Sequence, residues 1–321
     1  MSLPIIDMTG LRSSNALDRA KVGAEIRSAC LDKGFFYLKG HGVSKQLREA
    51  SMDVIREFFS QPPDVKLEMD MALSSCNRGY EKLRGQTLEP GAPADLKEGY
   101  YIGRDLPVED SRVIEGKFNH GPNIWPESLP QFQNVLETYY AEMLEVARTL
   151  MRGLALSLNL NEDHFDEFCK EELATLRLLH YPEQPPNPQP GEKGCGEHSD
   201  FGTLTLLLQD DCGGLQVWDE NEGWTDAPPV PDTYIVNLGD MIARWTNDHY
   251  HSTLHRVINT SGRDRYSMPF FYLGNPDILI ECIPTCVEDN EGPRYPVTTV
   301  ERHYREMYDV TYKNQSVTSN K

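Results

Sequence analysis

The sequence predicts an α+β fold in which a β-sandwich or barrel is flanked by helices, and three observations lead there. Residues 174–284 break into short β-prone runs such as TLRLLHYP, GTLTLLLQ, GLQVWD, TYIVNLGD, STLHRVIN and RYSMPFFYL, divided by Gly, Asn, Asp and Pro turns. That spacing belongs to sandwiches and barrels. Ahead of them Leu136, Tyr140, Met143, Ala147, Leu150 and Leu154 form one helical stripe between about Pro130 and Leu158, which reads as a core face. The chain has 321 residues, 39 % hydrophobic and 25 % charged, enough for a sizeable globular core.

Four segments follow in order, read as one integrated catalytic unit. Residues 1–125 are an N-terminal α/β region. PIIDM (4–8) and GFFYLKG (34–40) read as strands, and Val22, Ile26, Ala29 and Cys30 between them lie at helical spacing. Ser44 is placed to cap a helix carrying Leu47, Val54, Ile55, Phe58 and Phe59, which stops before Pro62-Pro63. Residues 126–173 hold the long helix and its connection, and 174–284 the β core. Residues 285–321 form a C-terminal helix and tail, with Thr298 and Glu301 expected as a capping box before VERHYREMY. Two long loops, 72–98 and 182–197, are long enough to be functional.

Acidic residues outnumber basic ones 50 to 31, a net charge of −19. Such a field repels phosphate backbones and anionic membranes, so neither nucleic acid nor membrane is an expected partner. The start, MSLPIIDMTGL, lacks the pattern of a secretory signal, and the final TSNK matches no address. Seven cysteines without regular spacing suit a reducing compartment. The expectation is a cytoplasmic monomer or weak homo-oligomer acting on a small molecule.

The chemistry concentrates in CGEHSDFGTLTLLLQDD (195–211). Residues i and i+2 of a strand share a face, so His198 and Asp200 are expected to point together at one cation. A third ligand is needed, and TNDHYHSTLHRVI offers His249, His251 and His255, which share strand parity. His255, embedded in the strand-like LHRVI, is the choice. Two histidines and a carboxylate leave one side of an octahedral ion open, which suits Fe(II) taking up O2 and a second small molecule; zinc is the competing reading. Ten residues later Arg265 and Ser267 again share a face. A guanidinium turned into a barrel requires an anion, which a bound carboxylate supplies as a bidentate partner.

HSD (198–200), STLHRV (252–257) and RYS (265–267) together resemble the signature of the non-haem Fe(II), 2-oxoglutarate-dependent oxygenases, in the isopenicillin N synthase-like subgroup. IIDM, GFFYLKGHGV (34–43), NRGY (77–80), HGPNIWP (120–126), LRLLHYP (176–182) and NLGDMIARWTND (237–248) fall in the family's order, so the resemblance covers nearly the whole chain. It implies a double-stranded β-helix (jelly-roll) core flanked by helices. It implies Fe(II) held by His198, Asp200 and His255, with 2-oxoglutarate and O2 as cosubstrates. Arg265 and Ser267 would hold the far carboxylate of 2-oxoglutarate, with Tyr181 as a third contact. Leu179 stands where many plant members have asparagine. The implied reaction oxidises, most often hydroxylates, a substrate C–H bond and releases succinate and CO2; the alternatives are a relative that oxidises without 2-oxoglutarate and a non-catalytic metal-binding β-barrel protein.

Substrate contacts are expected from Arg177, which shares strand parity with Tyr181, from Phe201 and Phe271 as walls, and from Asn77 and Tyr80 above. The pattern is similar to members hydroxylating pyrimidine bases, where positions matching Asn77, Arg177 and Phe271 contact the base. An aromatic hydroxyl is expected there where this chain has Phe201. His41, His120, His164, His180 and His303 read as structural or surface residues.

Overall fold

The computed structural model of the protein describes residues 2–185, 187–287 and 292–308; the rest of the tail, TSNK included, lies outside the described residues. In chain order the strands are β1 (Ile5–Asp7), β2 (Phe35–Lys39), β3 (Gly79–Glu81), β4 (Glu98–Gly103), β5 (Leu173–Tyr181), β6 (Cys195–His198), β7 (Leu204–Gln209), β8 (Leu215–Asp219), β9 (Gly223–Asp226), β10 (Tyr234–Leu238), β11 (His255–Val257), β12 (Arg265–Gly274), β13 (Leu279–Ile280) and β14 (Thr298–Thr299). The helices are α1 (Ala16–Asp32), α2 (Lys45–Phe59), α3 (Pro63–Leu67), α4 (Ser111–Ile114), α5 (Pro130–Ser157) and α6 (Asp240–Trp245), followed by α7 over 300–308.

A major sheet runs β1-β2-β10-β7-β12-β5-β4-β3, and a minor sheet runs β6-β11-β8-β9. The N-terminal strands therefore extend the sheet of the catalytic core. Strand alternation decides what lies on each side. Phe36 and Leu38 of β2, Leu176 and Leu178 of β5, and Val236 and Leu238 of β10 pack in the large core beneath the helices. Their neighbours Phe35, Tyr37, Leu179, Tyr181 and Ile235 form a second cluster with Cys195, Leu215, Val217 and Val257 of the minor sheet. Both faces of the major sheet are buried, so its strands read as apolar runs.

The stripe on α5 is buried throughout, and the helix lies against α1, α2 and β12. Each such leucine contributes roughly 1.5–3 kcal/mol of burial. Ser44 caps α2 by accepting the Leu47 amide at 3.2 Å. One cap differs from expectation. Thr299, not Thr298, accepts the Arg302 amide at 3.2 Å, because the Glu301 amide that Thr298 would cap donates instead to the Pro276 carbonyl at 3.0 Å. Among the described residues no helix is long and apolar enough to cross a membrane.

Candidate active site

β6 and β11 pair antiparallel with His198 opposite His255, so the two imidazoles meet on one face with ring centroids 4.2 Å apart. β6 ends at His198, and Asp200 lies in the following loop rather than on the same strand. Its carboxylate nevertheless turns to the histidines: Oδ1 is 3.8 Å from His198 Nε2 and 3.7 Å from His255 Nε2. The three donor atoms lie within 4.8 Å of one another. His249 and His251 are not in this cluster.

Hydrogen bonds behind the cluster orient it for a cation. His198 Nδ1 donates to the Gly196 carbonyl at 2.8 Å, and His255 Nδ1 to the Thr253 carbonyl at 3.1 Å. Each Nε2 lone pair is thereby turned to the common point. Asp200 Oδ2 accepts from Thr205 Oγ1 at 2.6 Å and Asn237 Nδ2 at 2.7 Å, leaving Oδ1 for a metal. Burial, reinforced by His198, pushes His255 down to about 4; burial also lowers His198. Burial opposes the charge on Asp200, but the two imidazoles and the bonds from Asn237 and Thr205 outweigh it and hold the carboxyl below its ordinary range. Neutral imidazoles and an ionised carboxylate are the protonation states a divalent ion requires, so the residues fit Fe(II).

A second feature lies across the β-helix interior. Arg265 is 1 % exposed. Its Nε donates to the Gly213 carbonyl at 2.7 Å, Nη1 to Ser267 Oγ at 3.1 Å and Nη2 to Gln209 Oε1 at 3.2 Å. These acceptors are all neutral, and among the described residues no carboxylate pairs with it. A buried guanidinium without a counter-charge fits an incoming anion. Tyr181, its cross-strand partner, places its ring under the guanidinium, 4.7 Å from ring centroid to Cζ. Leu179 lies opposite Ser267.

Two cavities meet at the cluster. The inner one reaches from His198, Asp200 and His255 to Tyr181, Arg265 and Ser267. The outer one also touches His198 and Asp200 and is walled by Arg177, Phe201 and Phe271. Leu88 borders both.

Asn77 and Tyr80 do not line either cavity, contrary to expectation. Tyr80 faces the helices: its hydroxyl donates to Glu98 Oε2 at 2.5 Å, and its ring packs on Phe58 and under Lys66. Asn77 sits at φ 58° and its amide donates to Asn119 Oδ1 at 2.7 Å. Arg177 does reach the outer cavity, where Nη2 bonds Glu81 Oε2 at 2.5 Å and Gln86 Oε1 at 3.0 Å, over the Tyr101 ring.

Sequence reasoning missed Gln86, Tyr101, Tyr304 and Tyr308 of the outer wall. It also missed Thr205 and Asn237 behind Asp200. Asn237 carried a signal, a lone amide inside the apolar run TYIVNL; Tyr304 and Tyr308 carried one too, sharing a face of the last helix at i and i+4.

Comparison with known proteins identifies this arrangement. Residues 174–274 match the 2OG-Fe(II) oxygenase superfamily, and residues 3–128 match the family described as non-haem dioxygenase in morphine synthesis N-terminal. The 2-oxoglutarate-Fe(II) type oxidoreductase hxnY of Emericella nidulans is 43 % identical over 314 residues, 96 % of this chain and 90 % of the relative. Clavatol oxidase claD of Penicillium crustosum is 38 % identical, covering 97 % and 96 % of the two chains. A full-length Neurospora crassa protein, solved in complex with alpha-KG and 5-formyluracil, superposes with a TM-score of 0.82 at 30 % identity over 96 % of each chain.

A jelly roll with these relatives defines a non-haem iron oxygenase, and the chain belongs to the 2OG-Fe(II) oxygenase superfamily. More particularly, the protein is a 2-oxoglutarate- and Fe(II)-dependent dioxygenase that uses O2 to oxidise a small molecule.

Proposed function

We propose that His198, Asp200 and His255 hold Fe(II), that Arg265 and Ser267 hold the far carboxylate of 2-oxoglutarate over Tyr181, and that the outer cavity takes the substrate. The observation that carries this is the layout: the three donors stand at the junction of two cavities, and the inner one ends on a buried guanidinium without a counter-charge. Fe(II) bound there supplies O2 activation coupled to conversion of 2-oxoglutarate to succinate and CO2, with hydroxylation of a substrate C–H bond as the outcome. The protein's residues supply orientation and exclusion of water. Arg265 fixes the cosubstrate's distal end with charge-assisted bonds, Asn237 and Thr205 keep Asp200 in one rotamer, and Phe201, Phe271 and Leu88 keep the reacting region apolar.

The outer cavity suits a flat, ring-bearing molecule stacked between Phe201 and Phe271, with a hydrogen-bond acceptor turned to Arg177. Because Glu81 already neutralises Arg177, an uncharged carbonyl fits better than a carboxylate. The net charge of −19 favours neither nucleic acid nor anionic membrane as partner, and seven unbridged cysteines suit a cytoplasmic protein, read as a monomer or weak homo-oligomer.

Anaerobic titration with Fe(II) and 2-oxoglutarate tests the reading. A visible charge-transfer band should appear only with both, and a panel of small ring carbonyls should contain a compound that shifts it. A band equally strong in a His198→Ala/His255→Ala chain would overturn it.

A further inference from the structure

The segments carrying the proposed metal ligands are far apart in sequence, and one half-buried carboxylate outside the cluster joins them. Asp240, the first residue of α6, accepts from Ser199 Oγ through Oδ2 at 3.2 Å and from Ser252 Oγ through Oδ1 at 2.6 Å. Ser199 stands between His198 and Asp200. Ser252 precedes Thr253, whose carbonyl receives the Nδ1 hydrogen of His255.

The backbone around Asp240 grips the same loop. Its own amide donates to the Asp200 carbonyl at 2.8 Å, and the Gly239 and Met241 amides donate to Thr203 and Gly202 at 3.2 Å each. The approach is close enough that a Cβ on Gly239 would stand 2.4 Å from the Gly202 carbonyl oxygen and 2.7 Å from that of Asp200. Among the described residues no cation forms an ion pair with Asp240. With the carboxylate only half-buried, what its two hydroxyl bonds chiefly fix is the relative position of the loop and the strand they join.

We infer that Asp240 is a positioning residue for the iron centre: by binding Ser199 and Ser252 together, its carboxylate sets the distance between the His198–Asp200 loop and the His255 strand. The inference rests on the proposed ligand assignment. It predicts that the site loses metal affinity and coordination geometry when the clamp is cut, although no metal-contacting atom is removed. Partners behind metal ligands typically change affinity by roughly 10–100-fold when substituted.

The experiment uses the full chain, metal-free, in three forms: wild type, Asp240→Asn and the double variant Ser199→Ala/Ser252→Ala. Mn(II) binding is measured by calorimetry, the visible spectrum of the Co(II)-loaded protein reports coordination geometry, and melting of the metal-free chain reports folding. Both variants should fold, bind Mn(II) about 10–100-fold more weakly and show altered Co(II) bands. A folded variant of either kind that binds Mn(II) as wild type does, with an unchanged Co(II) spectrum, overturns the inference. If Asp240→Asn fails to fold, the serine variant decides, since it removes only two hydroxyls. Wild-type protein that binds neither ion would instead sink the ligand assignment, and this inference with it.

Discussion

His198 and His255 face each other directly across β6 and β11, their ring centroids 4.2 Å apart. Two imidazoles at that distance oppose each other's protonation, and the arrangement is stable only while both stay neutral or share a cation with Asp200.

This pair gives the metal-free protein an acid-sensitive stability. His255 is pushed down to about 4 by burial and by His198, against an unfolded value near 6.5. Below about pH 6.5 the unfolded chain binds the proton that the fold refuses. The stability is therefore complete above that pH and is lost as the pH falls toward about 4. We expect the melting temperature of the metal-free chain to drop between pH 7 and 5, with a shallower slope in His255→Asn. His41, which burial also pushes down to about 4, leaves a residual slope in that variant. A slope identical to wild type would refute the contribution of His255.

Arg265→Ala should weaken 2-oxoglutarate binding while leaving metal binding in place. Hydrogen bonds to a charged group contribute about 1.5–3 kcal/mol, which corresponds to roughly a 10–100-fold rise in the dissociation constant. Arg265→Lys should recover only part, because an ammonium lacks the planar fork. Anaerobic 2-oxoglutarate titrations of the Fe(II)-loaded proteins measure both, and unaltered affinity in the alanine variant would count against the clamp.

Arg177 and Glu81 form a buried ion pair, so removing one partner strands the other. Arg177→Met should cost on the order of 3–5 kcal/mol. Adding Glu81→Gln should return much of that stability without returning substrate-stimulated consumption of 2-oxoglutarate. Melting curves of the single and double variants decide it; equal destabilisation in both would mean that the pair is not the source.

Tyr80 lies outside the cavities. Tyr80→Phe removes a donor from Glu98, which retains Lys66 Nζ at 2.7 Å and His180 Nδ1 at 2.7 Å. The expected cost is about 1 kcal/mol of stability, with 2-oxoglutarate affinity and the charge-transfer band unchanged. A changed band would place Tyr80 closer to the chemistry than its hydrogen bonds indicate.

Much of the site was legible because its residues sit on strands with strict alternation. Choosing His255 over His249 and His251 followed from its place inside LHRVI, and Arg265 with Ser267 followed from parity on RYSMPFF. Asp200 was legible for a different reason than the one that operates. It reaches the histidines from a loop held by α6, not from a continuing strand. Tyr80 was expected above the site from its place in the 72–98 loop, but loop membership cannot say that its hydroxyl turns away to Glu98. Thr298 does not cap because the amide it would meet, that of Glu301, is held by the Pro276 carbonyl, which lies far back in the sequence.

The order of ligand-bearing motifs, the apolar strands and the stripe on α5 are properties of the chain read locally, since spacings of 2 and 3.6 residues are set by backbone geometry alone. The tertiary structure alone decided what each polar group meets. Glu81 against Arg177, Asn237 behind Asp200, and Asp240 against Ser199 are long-range encounters. They depend on sheet register and loop path, and no local periodicity encodes those.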